Sequence, residues 1–198
     1  MKVEFWFDFA SSYSYPAAMS VEHMAKRQNL DIAWRPFLLG AIFNKQGWQD
    51  SPFNLHPAKG AYMWRDLERV CRESGLSFTR PSQFPRNGLL AARVASAFAT
   101  APWLADFIRA VFTANFADDL DISSPSVIAR CLEMSGEDSV AIIKAANSPA
   151  TKSLLREQTE LAYQKGIFGA PSFLVGKELF WGNDRLTSAL SWAVNQGN

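Results

Sequence analysis

Hydrophobic and polar residues alternate at the start of the chain. Within residues 2–9 (KVEFWFDF), the side chains of Val3, Phe5, Phe7 and Phe9 fall on one face and the residues between them fall on the other. A period of two is typical of a β-strand. The pattern therefore predicts a first strand over 2–9.

A helix and a second strand are predicted next. Ser11 and Ser12 break the alternation with small hydroxyl side chains suited to a helix N-cap, and residues 13–28 follow with helical spacing. Residues 31–39 (DIAWRPFLL) are typical of a strand, and the late Pro36 indicates an edge strand or a bulge. This order predicts a βαβ unit with a right-handed crossover.

The middle of the chain is predicted to be a long loop followed by a helical block. Residues 40–60 contain five Gly or Pro residues, which predicts a structureless and therefore functional loop. From 58 to 165, apolar residues recur at helical spacing, and Ser124 and Ser148 each precede a proline suited to a first helical turn.

The chain ends in a predicted β-hairpin and helix. Two apolar runs, SFLV and ELFW, flank Gly176 and Lys177, and Asn183 and Asp184 then supply caps for a last helix. The two ends together predict an α/β, thioredoxin-like fold, with βαβ at the N-terminus, ββα at the C-terminus and a large all-helical insertion. The predicted domains are 1–39 with 166–198, and 40–165.

Charge and composition exclude several classes of function. The 198 residues include 20 Lys+Arg and 19 Asp+Glu, so the net charge of +1 argues against a nucleic-acid partner. No apolar run approaches the length that spans a bilayer, and no signal-peptide pattern is visible. Cys71 and Cys131 form no CxxC, and with His23 and His56 they show no zinc spacing. We expect a cytoplasmic protein with no metal and no membrane partner, and buried apolar cysteines.

Four segments resemble the 2-hydroxychromene-2-carboxylate isomerase family, which is grouped with kappa-class glutathione transferases and DsbA-like proteins. They are FDFASSYSY at 7–15, KGAYMWRDL at 59–67, GAPSF at 169–173 and GNDRL at 182–186, and they occur in the family's order over essentially the whole chain. This chain has Ser12 where the family usually has proline. The resemblance implies a thioredoxin-like glutathione enzyme, commonly a homodimer.

Ser11 is the catalytic residue that the resemblance implies. From the sequence alone it is also explained as a simple helix cap. In the family's role its hydroxyl donates to the sulfur of glutathione, and the positive end of the helix stabilises the thiolate. Ser11 and Ser14 stand where redox relatives have the two CxxC cysteines, so the site cannot cycle a disulfide of its own.

Further residues are expected, by the same resemblance, to bind glutathione. Lys59 would pair with the glycyl carboxylate, and a cis bond before Pro171 would turn the Ala170 backbone toward the cysteinyl backbone. Asn183 and Asp184 would meet the γ-glutamyl end, with Asp184 on its ammonium. Taken singly, these residues are also explained as a solvated lysine, an ordinary trans proline and helix caps.

Candidates for the substrate pocket are less sharply defined. They are Trp48, Asn54, Trp64, Phe84, Arg86 and Asn87. Asn54 lies near the position of a glutathione-binding asparagine in the family. Arg86 either faces an acidic substrate or is simply exposed.

The implied reaction is the isomerisation of 2-hydroxychromene-2-carboxylate to trans-o-hydroxybenzylidenepyruvate, in the degradation of naphthalene-type aromatic compounds. The expected partners are glutathione and a small aromatic carboxylate. Two alternatives stay open: a kappa-like glutathione transferase that conjugates electrophiles, and a non-catalytic binding protein on a thioredoxin-like scaffold.

Overall fold

The computed structural model describes residues 2–196, which form one four-stranded sheet surrounded by helices. The strands are β1 (Lys2–Phe7), β2 (Asp31–Pro36), β3 (Ser172–Val175) and β4 (Glu178–Trp181). The helices are α1 (Ser14–Lys26), α2 (Leu39–Lys45), α3 (Pro52–Leu55), α4 (Pro57–Glu73), α5 (Leu89–Ala97), α6 (Leu104–Phe116), α7 (Pro125–Met134), α8 (Ser139–Ala146), α9 (Pro149–Gln164) and α10 (Leu186–Gln196). A single 3₁₀ turn, Asn183–Arg185, precedes α10.

The sheet has the order β2-β1-β3-β4. β1 runs parallel to β2 and antiparallel to β3, and β3 pairs antiparallel with β4 across the predicted hairpin. This arrangement confirms the thioredoxin-like plan with its βαβ and ββα ends. β2 is an edge strand, so Pro36 removes no hydrogen bond inside the sheet.

Both faces of β1 carry buried residues. Phe5 and Phe7 lie in the main core, as expected. Trp6 is also fully buried, in a second hydrophobic cluster with Phe37 of the segment after β2, Ile42 of α2 and other residues. Because α2 and the C-terminal part of α9 cover this face of the sheet, Trp6 is enclosed, whereas Lys2 is exposed and Glu4 is half-buried.

The predicted long loop over 40–60 is wrong, because this segment contains α2, α3 and the start of α4. Its prolines do not break these helices. Pro52 and Pro57 occupy first helical positions, where the missing N–H is not needed. Gly60 is inside α4, where a Cβ would lie 2.3 Å from the Phe53 carbonyl oxygen. The glycine thus permits close packing of α3 on α4.

The helical insertion shares the main core with the N-terminal βαβ unit. Tyr15 of α1 stacks on Phe116 of α6, with ring centroids 5.7 Å apart. Phe7 and Phe9 both contact Phe112, also on α6. The packing of α6 against α1 and the end of β1 therefore fixes the position of the turn that carries Ser11.

Candidate functional site

The turn after β1 is organised by the buried carboxylate of Asp8. The Ser11 N–H donates to the Asp8 carbonyl oxygen at 2.9 Å. The two carboxylate oxygens of Asp8 accept N–H bonds from Ala10 at 2.8 Å and Leu39 at 2.7 Å. Burial raises the pKa of Asp8, while these two N–H groups act in the opposite direction. The sequence alone did not identify Asp8 as a residue of the site. What could have indicated it is a charged residue inside a phenylalanine-rich run.

Ser11 lies against the segment that precedes β3. Its hydroxyl donates to the Ala170 carbonyl oxygen at 2.9 Å, although 159 positions separate the two residues. The Ala170–Pro171 peptide bond is cis, as the family resemblance implied. The fold thus brings three of the predicted site residues, Ser11, Ala170 and Pro171, into one place.

The residue at the N-cap of α1 is not the one that the sequence predicted. The helix begins at Ser14, with Tyr13 at the N-cap position and no side-chain cap hydrogen bond, so the expectation that Ser11 and Ser12 cap it is wrong. The Ser12 hydroxyl instead donates to the sulfur of Met63 at 3.0 Å. The first turn contains no acidic residue. The positive end of the helix dipole beside Ser11 therefore has no carboxylate within that turn to offset it.

One face of α4 adjoins this helix start. Met63 contacts Ser12, and Asp66 accepts the Tyr13 hydroxyl at 2.8 Å. Burial, followed by this bond to Asp66, raises the pKa of Tyr13. Lys59 shares the face one turn before Met63; it is exposed and forms no ion pair within residues 2–196. Lys59 is therefore a cation without an ion-pair partner among these residues, and it lies one helical turn from Met63, which contacts Ser12.

The segment after β4 is joined directly to Pro171. The Gly182 N–H donates to the Pro171 carbonyl oxygen at 2.9 Å. Gly182 has φ of 111°, and a Cβ there would lie 2.5 Å from Oδ1 of Asp184, so this position requires glycine. Asn183 and Asp184 form the following 3₁₀ turn, with Asp184 exposed. Negative charge on Asp184 contributes to the raised pKa of Tyr13. The 3₁₀ turn that carries Asp184 packs against α1, the helix that begins after Ser11.

Arg86 lies in neither of the environments predicted for it. Its side chain is 4% exposed and donates to the backbone and side chain of Asn115, and to Ser82 and Asp119. Asn115 in turn donates to the Phe9 carbonyl oxygen at 3.0 Å. Arg86 therefore braces the segment leading to Ser11, and it contacts neither solvent nor an open pocket.

The remaining candidates are dispersed. The amide of Asn54, exposed on α3, donates to Asp50 and to the Phe84 carbonyl oxygen. Phe84 packs edge-on against Trp64, with ring centroids 4.8 Å apart. Trp48 and Asn87, the last two candidates, also have local contacts. Trp48 packs on Phe43, and Asn87 accepts the Leu89 N–H at the start of α5.

Cys71 and Cys131 are free, buried cysteines, as predicted. Burial raises the pKa of each thiol to about 11. In the described part of the chain, no three His, Cys, Asp or Glu side chains meet in a way that would hold a metal ion. Within the same residues, none of the helices is both long enough and apolar enough to cross a bilayer.

Comparison with known proteins identifies the family of the chain. The family model "DSBA-like thioredoxin domain" matches residues 2–191. A curated 2-hydroxychromene-2-carboxylate isomerase from Sphingobium xenophagum is 30% identical over 195 residues, covering 98% of each chain. Human glutathione S-transferase kappa 1 is 26% identical over 93% of this chain and 87% of its own. A solved structure of 2-hydroxychromene-2-carboxylate isomerase superposes with a TM-score of 0.88 at 26% identity, covering 100% of this chain and 98% of that one.

Proposed function

Because the chain belongs to the 2-hydroxychromene-2-carboxylate isomerase family of DsbA-like thioredoxin domains, we propose that it is a glutathione-dependent isomerase. Its substrate would be a small aromatic carboxylate, 2-hydroxychromene-2-carboxylate, and its product trans-o-hydroxybenzylidenepyruvate. Ser11 would be the catalytic residue.

The observation that carries this proposal is the position of the Ser11 hydroxyl. It lies 2.9 Å from the Ala170 carbonyl oxygen, beside the cis peptide bond and the uncapped start of α1. A hydrogen-bond donor and a helix N-terminus together favour a bound thiolate. Ser11 and Ser14 replace the cysteines of a redox centre, so the reactive sulfur has to come from a ligand.

The charges around Ser11 fit glutathione, which carries two carboxylates and one ammonium group. Lys59 is an exposed cation that would hold the glycyl carboxylate. Asp184 is an exposed carboxylate that would hold the γ-glutamyl ammonium, with Asn183 beside it. The Ala170 backbone beside Ser11 would pair with the cysteinyl residue, and Asn54 on α3 is a further contact in this proposal.

Glutathione would supply a thiolate that adds to a C=C bond of the substrate and leaves after that bond has rotated. The chain's own part is electrostatic. The Ser11 hydroxyl would turn from Ala170 toward the sulfur and stabilise its charge both before addition and after elimination. No electron is gained or lost overall, which agrees with a site that has no cysteine.

The direct test is to mix the protein, glutathione and 2-hydroxychromene-2-carboxylate and to follow the absorbance of the benzylidenepyruvate. We expect product only when glutathione and protein are both present. Turnover of equal rate without glutathione, or none with it, would contradict the proposal. Isothermal titration of glutathione alone checks the binding step separately.

A kappa-like glutathione transferase is the second candidate, because human glutathione S-transferase kappa 1 aligns with 93% of this chain. The two activities differ in what leaves the site. An isomerase returns free glutathione, whereas a transferase releases a stable thioether. Mass spectrometry of the reaction mixture distinguishes them, since a conjugate is heavier than either reactant.

A further inference from the structure

A cavity of about 360 Å³ lies between α2, α5 and α9, apart from the Ser11 site. None of the residues proposed to bind glutathione lines it. Its volume is in the range of small-molecule pockets, roughly 300–1,000 Å³. Its lining comes from both hydrophobic clusters, with Leu155 in the main core and Ile42 in the second one.

The floor of the cavity is apolar. Ile42 and Leu155 are 1% and 2% exposed, and Leu38 and Leu89 complete the apolar wall. The one buried polar side chain there, Thr159, is fully engaged: its hydroxyl accepts the Leu38 N–H at 3.1 Å and donates to the Leu155 carbonyl oxygen at 2.8 Å. The floor therefore favours an apolar group rather than a polar one.

The rim of the cavity is strongly basic. It carries four cations and one anion, namely Lys45, Arg93, Lys152, Arg156 and Glu160. Lys45 pairs with Glu160, whereas Lys152 and Arg156 form no ion pair among the residues described. A local excess of three positive charges stands out in a chain whose net charge is +1. A cleft lined by one sign of charge attracts ligands of the other sign.

We propose that this cavity is a binding site for an organic anion with an apolar body, such as a fused-ring or medium-chain carboxylate. The apolar body would lie on Leu38, Ile42 and Leu155. Its carboxylate would lie at the rim, between Lys152 and Arg156. This site is separate from the proposed glutathione site, and its occupancy requires no glutathione.

The first test measures 2-naphthoate binding by isothermal titration, with uncharged 2-naphthol as the comparison probe. We expect a naphthoate site in the cavity in addition to any binding at the Ser11 site, which is itself proposed to accept an aromatic carboxylate, and weaker binding of naphthol. The double variant Lys152→Gln/Arg156→Gln should weaken naphthoate binding about tenfold and change naphthol binding little, because each exposed ion pair contributes modestly. The matched control is Arg130→Gln/Lys144→Gln, which removes two exposed cations outside the cavity.

A second variant tests the cavity itself. Ala41 is exposed at its edge, so Ala41→Trp should fill the cavity and abolish naphthoate binding there, whereas Ala141→Trp, at an exposed position on α8, should not. Saturating glutathione should leave the affinity of the cavity for naphthoate unchanged. Equal binding by all variants, or competition between naphthoate and glutathione for the cavity, would overturn the proposal. Loss of isomerase activity alone would not bear on it, since binding is measured without turnover.

Discussion

At the scale of single residues, Ser11 is held in place by backbone bonds that do not depend on its own side chain. Its N–H is bonded to Asp8, and within residues 2–196 the hydroxyl has one partner, the Ala170 carbonyl oxygen. Removing the hydroxyl therefore leaves the turn intact. The backbone of Ser11 has the structural role and its hydroxyl has the proposed chemical role. Substitution of Ser11 therefore tests the hydroxyl without disturbing the turn.

The variant Ser11→Ala should keep the fold and lose most glutathione-dependent turnover, by about 10- to 100-fold, because a hydrogen bond to a charged group is lost. Steady-state kinetics and circular dichroism measure the two properties. Ser14→Ala is the matched control, since the buried Ser14 hydroxyl has no hydrogen-bond partner in the described residues. Unchanged turnover in Ser11→Ala would remove its assigned role.

The variant Lys59→Ala should raise the glutathione KM more than it lowers kcat. The exposed Lys59 has no structural partner, so its loss affects ligand binding rather than packing. Lys59→Arg keeps the positive charge, so its glutathione KM should stay close to that of the unchanged protein. Lys177→Ala, in the β3–β4 turn, should leave the KM unchanged. A fall in kcat at constant KM would argue against a binding role.

At the scale of secondary-structure elements, the Arg86 network ties the segment between α4 and α5 to the end of α6. Arg86 donates to Asn115 and Asp119, and Asn115 donates to the carbonyl oxygen of Phe9. These bonds connect both segments to the turn that carries Ser11. A buried guanidinium with several partners stabilises such a junction far more than a surface ion pair does.

Replacement of Arg86 by methionine should lower the free energy of unfolding by about 3 kcal/mol, because buried acceptors lose their partner. Urea denaturation measures the change. Arg65→Met is the control: Arg65 forms an exposed ion pair with Glu68, and its loss should cost at most about 0.5 kcal/mol. Equal effects of the two substitutions would show that the network does not brace the fold.

At the scale of the whole molecule, the shared core determines what the two cysteines can do. Cys71 and Cys131 belong to the main core, on α4 and α7, and neither adjoins the Ser11 turn in sequence. Burial raises their pKa values to about 11. The thiol forms therefore stabilise the fold below about pH 9, and this contribution is lost as the pH rises toward 11. The homodimer and the cytoplasmic location stay predictions.

The protein should show no insulin reduction with dithiothreitol at neutral pH, because no thiol lies at the Ser11 position and both cysteines are buried and protonated. Turbidity of reduced insulin is the measurement, with a CxxC-containing DsbA-like protein as the positive control. Iodoacetamide should label Cys71 and Cys131 only after unfolding. Robust insulin reduction would overturn the exclusion of disulfide chemistry.

The sequence by itself determined the four strands, the hairpin and most helices, because alternation, helical spacing and Gly or Pro at element ends act locally. It also indicated Ser11 and Pro171, whose motifs are continuous in the chain. It failed where burial depends on distant segments: α2 and α9 cover the Trp6 face of β1, and Arg86 is enclosed by Asn115 and Asp119.

Only the tertiary structure decided how these parts combine. It joined Ser11 to Ala170 across 159 positions, assigned the Asp8 carboxylate to the turn, and placed Lys152 and Arg156 on the rim of an apolar cavity. The physical reason is that local patterns fix which face of an element is apolar. Which two faces meet, and which polar groups are enclosed between them, depends on packing of the whole chain.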